Sequence, residues 1–206
     1  MKRNRRGGWR WLVLVFLAGL AIMAGRGVYP FLARHAPVAT DILVVEGWVG
    51  DDQLRQAAAW AASNGVEKIL ATGGPIETGR WLASWETYAD MTKARLEALG
   101  LGERFEVAAF PAQSVRRGRT RESARALRAG LAPLPSAFNL ASEGPHARRS
   151  WRAFRDEFGG DVQVGSVALE PTAFGRRDWW RCSEGVRAVL GEAIAYGYDL
   201  LPGGGE

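Results

Sequence analysis

Residues 41–52, Asp-Ile-Leu-Val-Val-Glu-Gly-Trp-Val-Gly-Asp-Asp, form the stretch that best indicates the fold. Ile42 to Val45 is an apolar run rich in β-branched residues, which is typical of a central strand covered on both faces. A turn at Glu46-Gly47 follows, and Asp51 or Asp52 is predicted to cap the next helix. A strand that leads through a glycine turn into a helix is the basic unit of an open α/β sheet. In such sheets, ligands bind beyond the carboxyl ends of the strands.

The same alternation of strand and helix continues along the chain. Further strands are predicted at residues 68–72, 105–110, 137–141 and 162–169. Helices are predicted over residues 52–64, after a cap at Ser84, over residues 121–130, after Pro145, and after a cap at Ser183. The last helix is expected to turn its apolar residues, Leu190, Ile194 and Leu201 among them, inward. This order predicts an α/β fold with a Rossmann-like parallel sheet of about five strands and helices on both faces.

The basic character of the chain is concentrated at its N-terminus. Residues 1–40 hold seven of the 27 Lys and Arg residues and none of the 22 Asp and Glu residues, so residues 41–206 carry a formal net charge of −2. A nucleic-acid-binding domain would need its positive charge on the folded part, and no nucleic-acid partner is predicted. Cys182 is the only cysteine, which excludes an intrachain disulfide.

A single transmembrane helix is predicted within residues 1–33. The sequence is free of charged residues from Trp11 to Gly25, and Tyr29 and Phe31 are expected at the far membrane interface. The basic cluster that precedes this run should stay in the cytoplasm. This places the globular domain on the periplasmic or outer side of an inner or plasma membrane. A cleaved signal peptide and a soluble helix are the alternatives.

Three further segments follow the predicted anchor. Residues 34–40 are predicted to form a linker, residues 41–201 the α/β domain, and residues 202–206 a frayed tail.

The loops after the strands should meet at one edge of a parallel sheet, and several of them carry polar or flexible residues. Gly73-Gly74 would let the backbone approach a phosphate or carboxylate, or would simply form a tight turn. Arg148 and Arg149, near a helix start that follows Pro145, suit an anion. His146 in the same turn is a candidate proton shuttle or hydrogen-bond donor.

Three carboxylates are also candidates. Glu46 ends a buried strand, where a charge needs a partner, and an arginine from a facing loop is expected to supply it. Glu86 and Glu122 are each predicted in the first turn of a helix, where the helix dipole already favours an acid. No His, Cys, Asp and Glu residues show the spacing of metal ligands, so no metal site is predicted.

The order of these motifs resembles the YdcF-like family, which includes the envelope proteins SanA and ElyC. The similarity rests on Thr72-Gly73-Gly74, on Thr120-Arg-Glu-Ser-Ala124 and on Pro145-His-Ala-Arg-Arg149, and it covers about residues 41–200. It implies a Rossmann-like domain and, for anchored members, a role in envelope integrity or peptidoglycan-precursor handling. It also makes S-adenosylmethionine a possible cofactor. The family's typical positions correspond to Gly73, Gly74, Glu86, Thr120, Glu122, His146 and Arg149.

The expected function is therefore to bind an anionic small molecule or a lipid-linked head group at the membrane. The candidate catalytic residues are Glu122 and His146. The candidate ligand-binding residues are Glu46, Gly73, Gly74, Glu86, Thr120, Arg148 and Arg149. A non-catalytic envelope scaffold and an enzyme that binds S-adenosylmethionine or a nucleotide are the alternatives, and the sequence leaves open whether the chain is an enzyme.

Overall fold

The computed structural model describes residues 25–201, and in them the predicted Rossmann-like α/β arrangement is confirmed. A single sheet of five parallel strands forms the centre of the domain. The strands are β1 (Ile42–Glu46), β2 (Lys68–Gly73), β3 (Glu106–Pro111), β4 (Ala137–Glu143) and β5 (Gln163–Leu169). The helices are α1 (residues 25–32), α2 (Asp51–Ser63), α3 (Tyr88–Ala98), α4 (Arg119–Gly130), α5 (Ala147–Phe158) and α6 (Ser183–Asp199).

The strand order is β3-β2-β1-β4-β5, so the strand predicted as central lies in the middle. Glu46 at the end of β1 pairs with Thr72 of β2, and Val45 pairs with Ala141 of β4. The chain moves outward from β1 to β3 and then outward in the opposite direction from β4 to β5. The direction therefore reverses between β1 and β4, which is the point where open α/β sheets bind ligands.

Two separate cores cover the two faces of the sheet. Leu43 and Val45 of β1 pack in the core that contains Leu54 of α2 and Leu96 of α3. The alternate residues Ile42 and Val44 pack in the core that contains Leu127 of α4 and Phe154 of α5. Right-handed crossovers require this division, because α2 and α3 connect strands in one direction across the sheet and α4 and α5 connect them in the other.

Helix α1 belongs to the folded domain, which corrects one part of the anchor prediction. Tyr29 and Leu32 are buried in a third core with Phe174, Trp179 and Val189, so Tyr29 does not lie at a membrane interface. The remainder of the predicted anchor, up to residue 24, and the predicted tail at 202–206 lie outside the described residues. Within residues 25–201, no helix combines the length and the apolar character that crossing a membrane requires.

The predicted linker at residues 34–40 is held against the sheet. Ala36 forms an antiparallel bridge with Ser166 of β5. The side chain of Asn139 on β4 satisfies both backbone groups of Val38: Val38 N donates to Asn139 Oδ1 over 2.8 Å, and Asn139 Nδ2 donates to Val38 O over 2.9 Å. Because these polar groups are paired with the domain, residues 34–40 form part of it and do not act as a free spacer.

Three predicted helix caps are replaced by neighbouring residues. Thr87 caps α3 in place of Ser84, since its hydroxyl accepts a hydrogen bond from Asp90 N. Cys182 precedes α6, and its Sγ accepts a hydrogen bond from Gly185 N, which puts Ser183 inside the helix. Gly50 precedes α2, so Asp51 and Asp52 lie in the first turn, where the helix dipole favours acids.

Helix α6 does not turn all of its apolar residues inward. Val189 is buried, whereas Leu190 and Ile194 in the helix and Leu201 just beyond its end, all predicted to face inward, are 48%, 74% and 59% exposed. Helix α6 packs on α1 and on the turn around Trp179 that precedes α6. Only one narrow stripe of the helix surface is therefore covered. The opposite apolar side remains on the surface of the described residues.

Candidate functional site

A cleft of about 850 Å³ lies at the carboxyl edge of the sheet, beside the point between β1 and β4 where the strand order reverses. The end of β1, the turn after β2, the loop before α4, the start of α5 and the end of α6 all contribute side chains to it. Six of the predicted site residues line it together: Glu46, Gly73, Gly74, Thr120, His146 and Arg149. Residues that are distant in sequence thus meet where the fold predicts a ligand site.

Glu46 is a buried carboxylate on the wall of this cleft and is only 3% exposed. Its Oε2 accepts a hydrogen bond from the Ser150 hydroxyl over 2.8 Å, and its Oε1 lies 3.9 Å from Nε2 of His146. The predicted arginine partner is wrong, because no arginine nitrogen lies within 4.0 Å of this carboxylate among residues 25–201. A serine hydroxyl and an imidazole take that place.

His146 lies between two carboxylates. Its Nδ1 is 2.9 Å from Oε1 of Glu192, while its Nε2 faces Glu46. Nδ1 also lies 3.0 Å from a terminal nitrogen of Arg149, which can only donate a hydrogen bond. The tautomer with its proton on Nδ1 therefore donates to Glu192 and leaves Nε2 available to accept a proton, whereas the other tautomer accepts from Arg149 at Nδ1. The ring of Trp48 packs edge-on against the imidazole, with centroids 5.1 Å apart, and holds its orientation.

Arg149 completes this cluster through a bidentate contact with Glu192. Arg149 Nε donates to Oε2 over 2.8 Å, and a terminal nitrogen donates to Oε1 over 3.2 Å. Burial by itself raises the pKa of Glu192, but the hydrogen bonds from His146 and Arg149 outweigh it and lower that pKa from 4.5 to about 2. Burial likewise opposes the charge of Arg149, and the pairing with Glu192 reverses this and raises its pKa.

The opposite wall of the cleft is a basic loop that ends in the first turn of α4. Arg116, Arg117 and Arg121 line the cleft, and none of them makes an ion pair with any residue in the described part of the chain. Arg119 also lines it and pairs with Glu77 over 2.7 Å. Helix α4 starts at Arg119 after Gly118, and no side chain caps it, so its first backbone N–H groups are available to a ligand.

Gly73 and Gly74 have different structural constraints. A Cβ at Gly73 would lie 2.7 Å from the Cβ of Tyr88, and a Cβ at Gly47 would lie 2.4 Å from the Tyr88 carbonyl oxygen. Both glycines therefore allow the start of α3 to pack closely against β1 and β2. A Cβ at Gly74 would meet only ordinary contacts, at 3.6 Å or more. The chain that approaches Gly73 closely is therefore the start of helix α3 of the protein itself.

Three predicted site residues do not line the cleft. Glu86 precedes α3, is highly exposed and pairs with Arg80 over 3.0 Å. Glu122 lies in the first turn of α4, 3.7 Å from Arg125. Arg148 donates from Nε to the carbonyl oxygen of Phe31 and stacks on the Phe31 ring, so it joins α5 to α1.

Two residues of the buried cluster could not be selected from the sequence. Glu192 belongs to α6, whose sequence shows an acid among apolar residues but no motif. Ser150 follows Arg149 and has no distinguishing neighbours. Their roles depend on how α6 and α5 pack against β1, which is a tertiary property.

A comparison with models of known protein families finds no match for this sequence, and a comparison with curated proteins finds no similar protein either.

Proposed function

We propose that this chain is a membrane-anchored protein of the bacterial cell envelope, of the YdcF-like type, and that its cleft binds a phosphate-bearing anion. The ligand is a small molecule or the head group of a lipid-linked precursor. In this proposal the part of the predicted anchor that precedes residue 25 holds residues 25–201, which include α1, on the periplasmic or outer side.

The observation that carries the proposal is the contrast between the cleft's two walls. The arginines at 116, 117 and 121 are unpaired with the described residues and point their charge at the same space as the uncapped start of α4. Arginine side chains and helix N-termini both favour phosphate oxygens, and together they form a strong anion site. An anion is therefore the ligand that this wall accommodates best.

The buried wall supplies the proton chemistry. Glu192 contacts His146 at Nδ1, and Nε2 on the other side of the ring lies 3.9 Å from Oε1 of Glu46. We infer that His146 exchanges a proton with the bound ligand and that Glu46 stabilises the protonated imidazole. Arg149 keeps Glu192 ionised and thereby maintains this orientation.

Calorimetric titration with inorganic pyrophosphate tests the anion site. We expect the full chain in detergent micelles to bind it and the triple variant R116A/R117A/R121A to bind at least about tenfold more weakly. The matched control R55A/R104A/R187A removes the same charge from exposed arginines away from the cleft. Equal weakening in both variants would show that only net charge matters and would contradict the proposal.

The rival that the family resemblance supplies is an S-adenosylmethionine-binding protein. The same titration with S-adenosylmethionine separates the two. The rival is favoured if the chain binds S-adenosylmethionine with an affinity that R116A/R117A/R121A leaves unchanged. It must also fail to bind pyrophosphate.

A further inference from the structure

The loop between β2 and α3 carries two large apolar side chains that nothing in the domain covers. Trp81 is 99% exposed and Leu82 is 94% exposed. The base of the loop is closed by a bridge between Pro75 and Thr87. Because the loop leaves the end of β2 directly, this tip, Trp81–Leu82, projects from the carboxyl edge of the sheet. That edge also holds the cleft, whose lining includes Pro75.

A second apolar surface lies at the same edge. Tyr198 lines the cleft, which places the end of α6 beside its opening. Ile194 and Tyr198 on that helix and Leu201 just beyond its end are 74%, 56% and 59% exposed. Two of the segments that line the cleft, the loop after β2 and the end of α6, thus each carry exposed apolar side chains.

The chain also enters the domain from this edge. Tyr29 in α1 donates a hydrogen bond to Glu170, immediately after β5. Five residues later, the carbonyl oxygen of Arg34 accepts one from Ser166 in the middle of β5. Helix α1 therefore runs from beyond the carboxyl edge towards the middle of the sheet. The apolar run that ends at Gly25 precedes it in sequence.

We propose that the carboxyl edge of the domain faces a lipid bilayer and that the Trp81–Leu82 tip enters the interfacial layer. Tryptophan prefers that layer, where its ring is buried and its N–H stays hydrated, and leucine gains by leaving water. The exposed side of α6 contacts the same surface. The cleft then opens towards the membrane, which favours a ligand presented from it over one that arrives from solution. This inference depends on the proposed anchor and is independent of the ligand's chemistry.

Site-directed fluorescence on the full chain in lipid nanodiscs tests the orientation. In a C182S background, bimane is attached at L82C or, as the control, at E103C, which is exposed before β3 at the opposite edge. Serine at 182 preserves a side chain that can cap α6. The nanodiscs contain phosphatidylethanolamine and phosphatidylglycerol, with or without a lipid that carries a shallow doxyl quencher.

We expect the doxyl lipid to quench the label at 82 several-fold more than the label at 103, and aqueous iodide to show the reverse order. Equal iodide quenching at both positions, with no lipid quenching at 82, would overturn the proposal. The label at 82 could also be shielded in lipid-free micelles, to an extent that rises with protein concentration. That result would overturn the proposal and show that a second copy of the chain covers the tip. If pyrophosphate alone is enough to shield the label at 82, the proposal is overturned and the loop acts as a lid over the cleft.

Co-elution with the nanodiscs separates this inference from the proposed function. A chain that co-elutes but keeps position 82 in water contradicts the orientation and leaves the anchor and the anion site standing. A chain that does not co-elute contradicts both the anchor and the orientation, while the pyrophosphate titration still reports on the cleft.

Discussion

The two walls of the cleft contrast in how their charges are satisfied. On the buried wall, Glu46, His146, Arg149 and Glu192 bind one another or a neighbouring serine, at distances that leave little freedom. On the open wall, Arg116 and Arg117 are exposed and have no carboxylate partner within residues 25–201. A buried charge that is already paired orients its neighbours and is costly to leave without its partner, whereas an unpaired charge is available to a ligand.

This contrast separates the roles of the residues around one cavity. Substitutions on the buried wall should change folding stability and the behaviour of His146. Substitutions on the open wall should change affinity and leave stability nearly constant.

Removing Glu192 should have the largest effect. In E192A the guanidinium of Arg149 loses its bidentate partner and His146 loses its orienting carboxylate, and both are largely buried. We expect the free energy of unfolding to fall by about 3–5 kcal/mol, as for other buried ion pairs that lose one member. Urea denaturation measures it. E184A, in the exposed first turn of the same helix, is the control and should cost under about 1 kcal/mol.

The same carboxylate predicts how stability depends on pH. The pKa of Glu192 is lowered to about 2 in the folded chain, so the ionised form stabilises the fold. This contribution, about 3 kcal/mol, is complete above pH 4.5 and is lost as the pH falls from 4.5 to 2. The stability difference between wild type and E192Q should therefore shrink across that range in urea titrations. A difference that is independent of pH would contradict the ion pair.

The glycines beneath the open wall should respond differently to alanine. G73A forces the start of α3 away from β2 and should cost about 1–3 kcal/mol, the usual range for overpacking. G74A introduces only ordinary contacts, and we expect a change under about 1 kcal/mol. Thermal denaturation of the two variants compares them directly. If G74A were the more destabilising, the assignment of the close approach to Gly73 would be wrong.

The smallest effect on stability is expected at the basic loop. R116A/R117A should leave the free energy of unfolding within about 0.5 kcal/mol of wild type, because neither side chain makes an ion pair with the described residues. Pyrophosphate affinity should fall in the same protein. A marked loss of stability would show that these arginines have a structural partner and would remove the contrast between the walls.

The sequence predicted the sheet because each strand is a short apolar run bounded by turn residues, and the alternation with helices leaves few topologies. It also predicted that Glu46, Gly73 and His146 lie at one edge of the sheet, where they line one cleft. It failed for side chains whose partners depend on packing. Glu46 was expected to bind an arginine and binds Ser150. Arg148 was expected to bind a ligand and instead binds Phe31.

Helix α6 is a second case in which the sequence pattern did not determine tertiary contacts. Its apolar residues suggested full burial, but one stripe suffices to pack on α1, and Ile194 lies on the surface. The helix also supplies Glu192 to the cleft, which no local pattern indicates. Periodicity identifies an amphipathic or apolar helix, but it does not say which neighbours the helix will have.

If both walls of the cleft act on one bound anion, His146 and the start of α4 should respond to it together, and the two histidines of the chain allow this to be measured. In the full chain in micelles, with ¹³C-labelled histidine and ¹⁵N-labelled backbone, inorganic pyrophosphate is added while NMR spectra are recorded. We predict that the ring signals of His146 and the amides of Arg119 to Arg121 shift with one dissociation constant, and that exposed His35 does not respond. Shifts at the amides without any at His146, or equal shifts of both histidines, would contradict the claim.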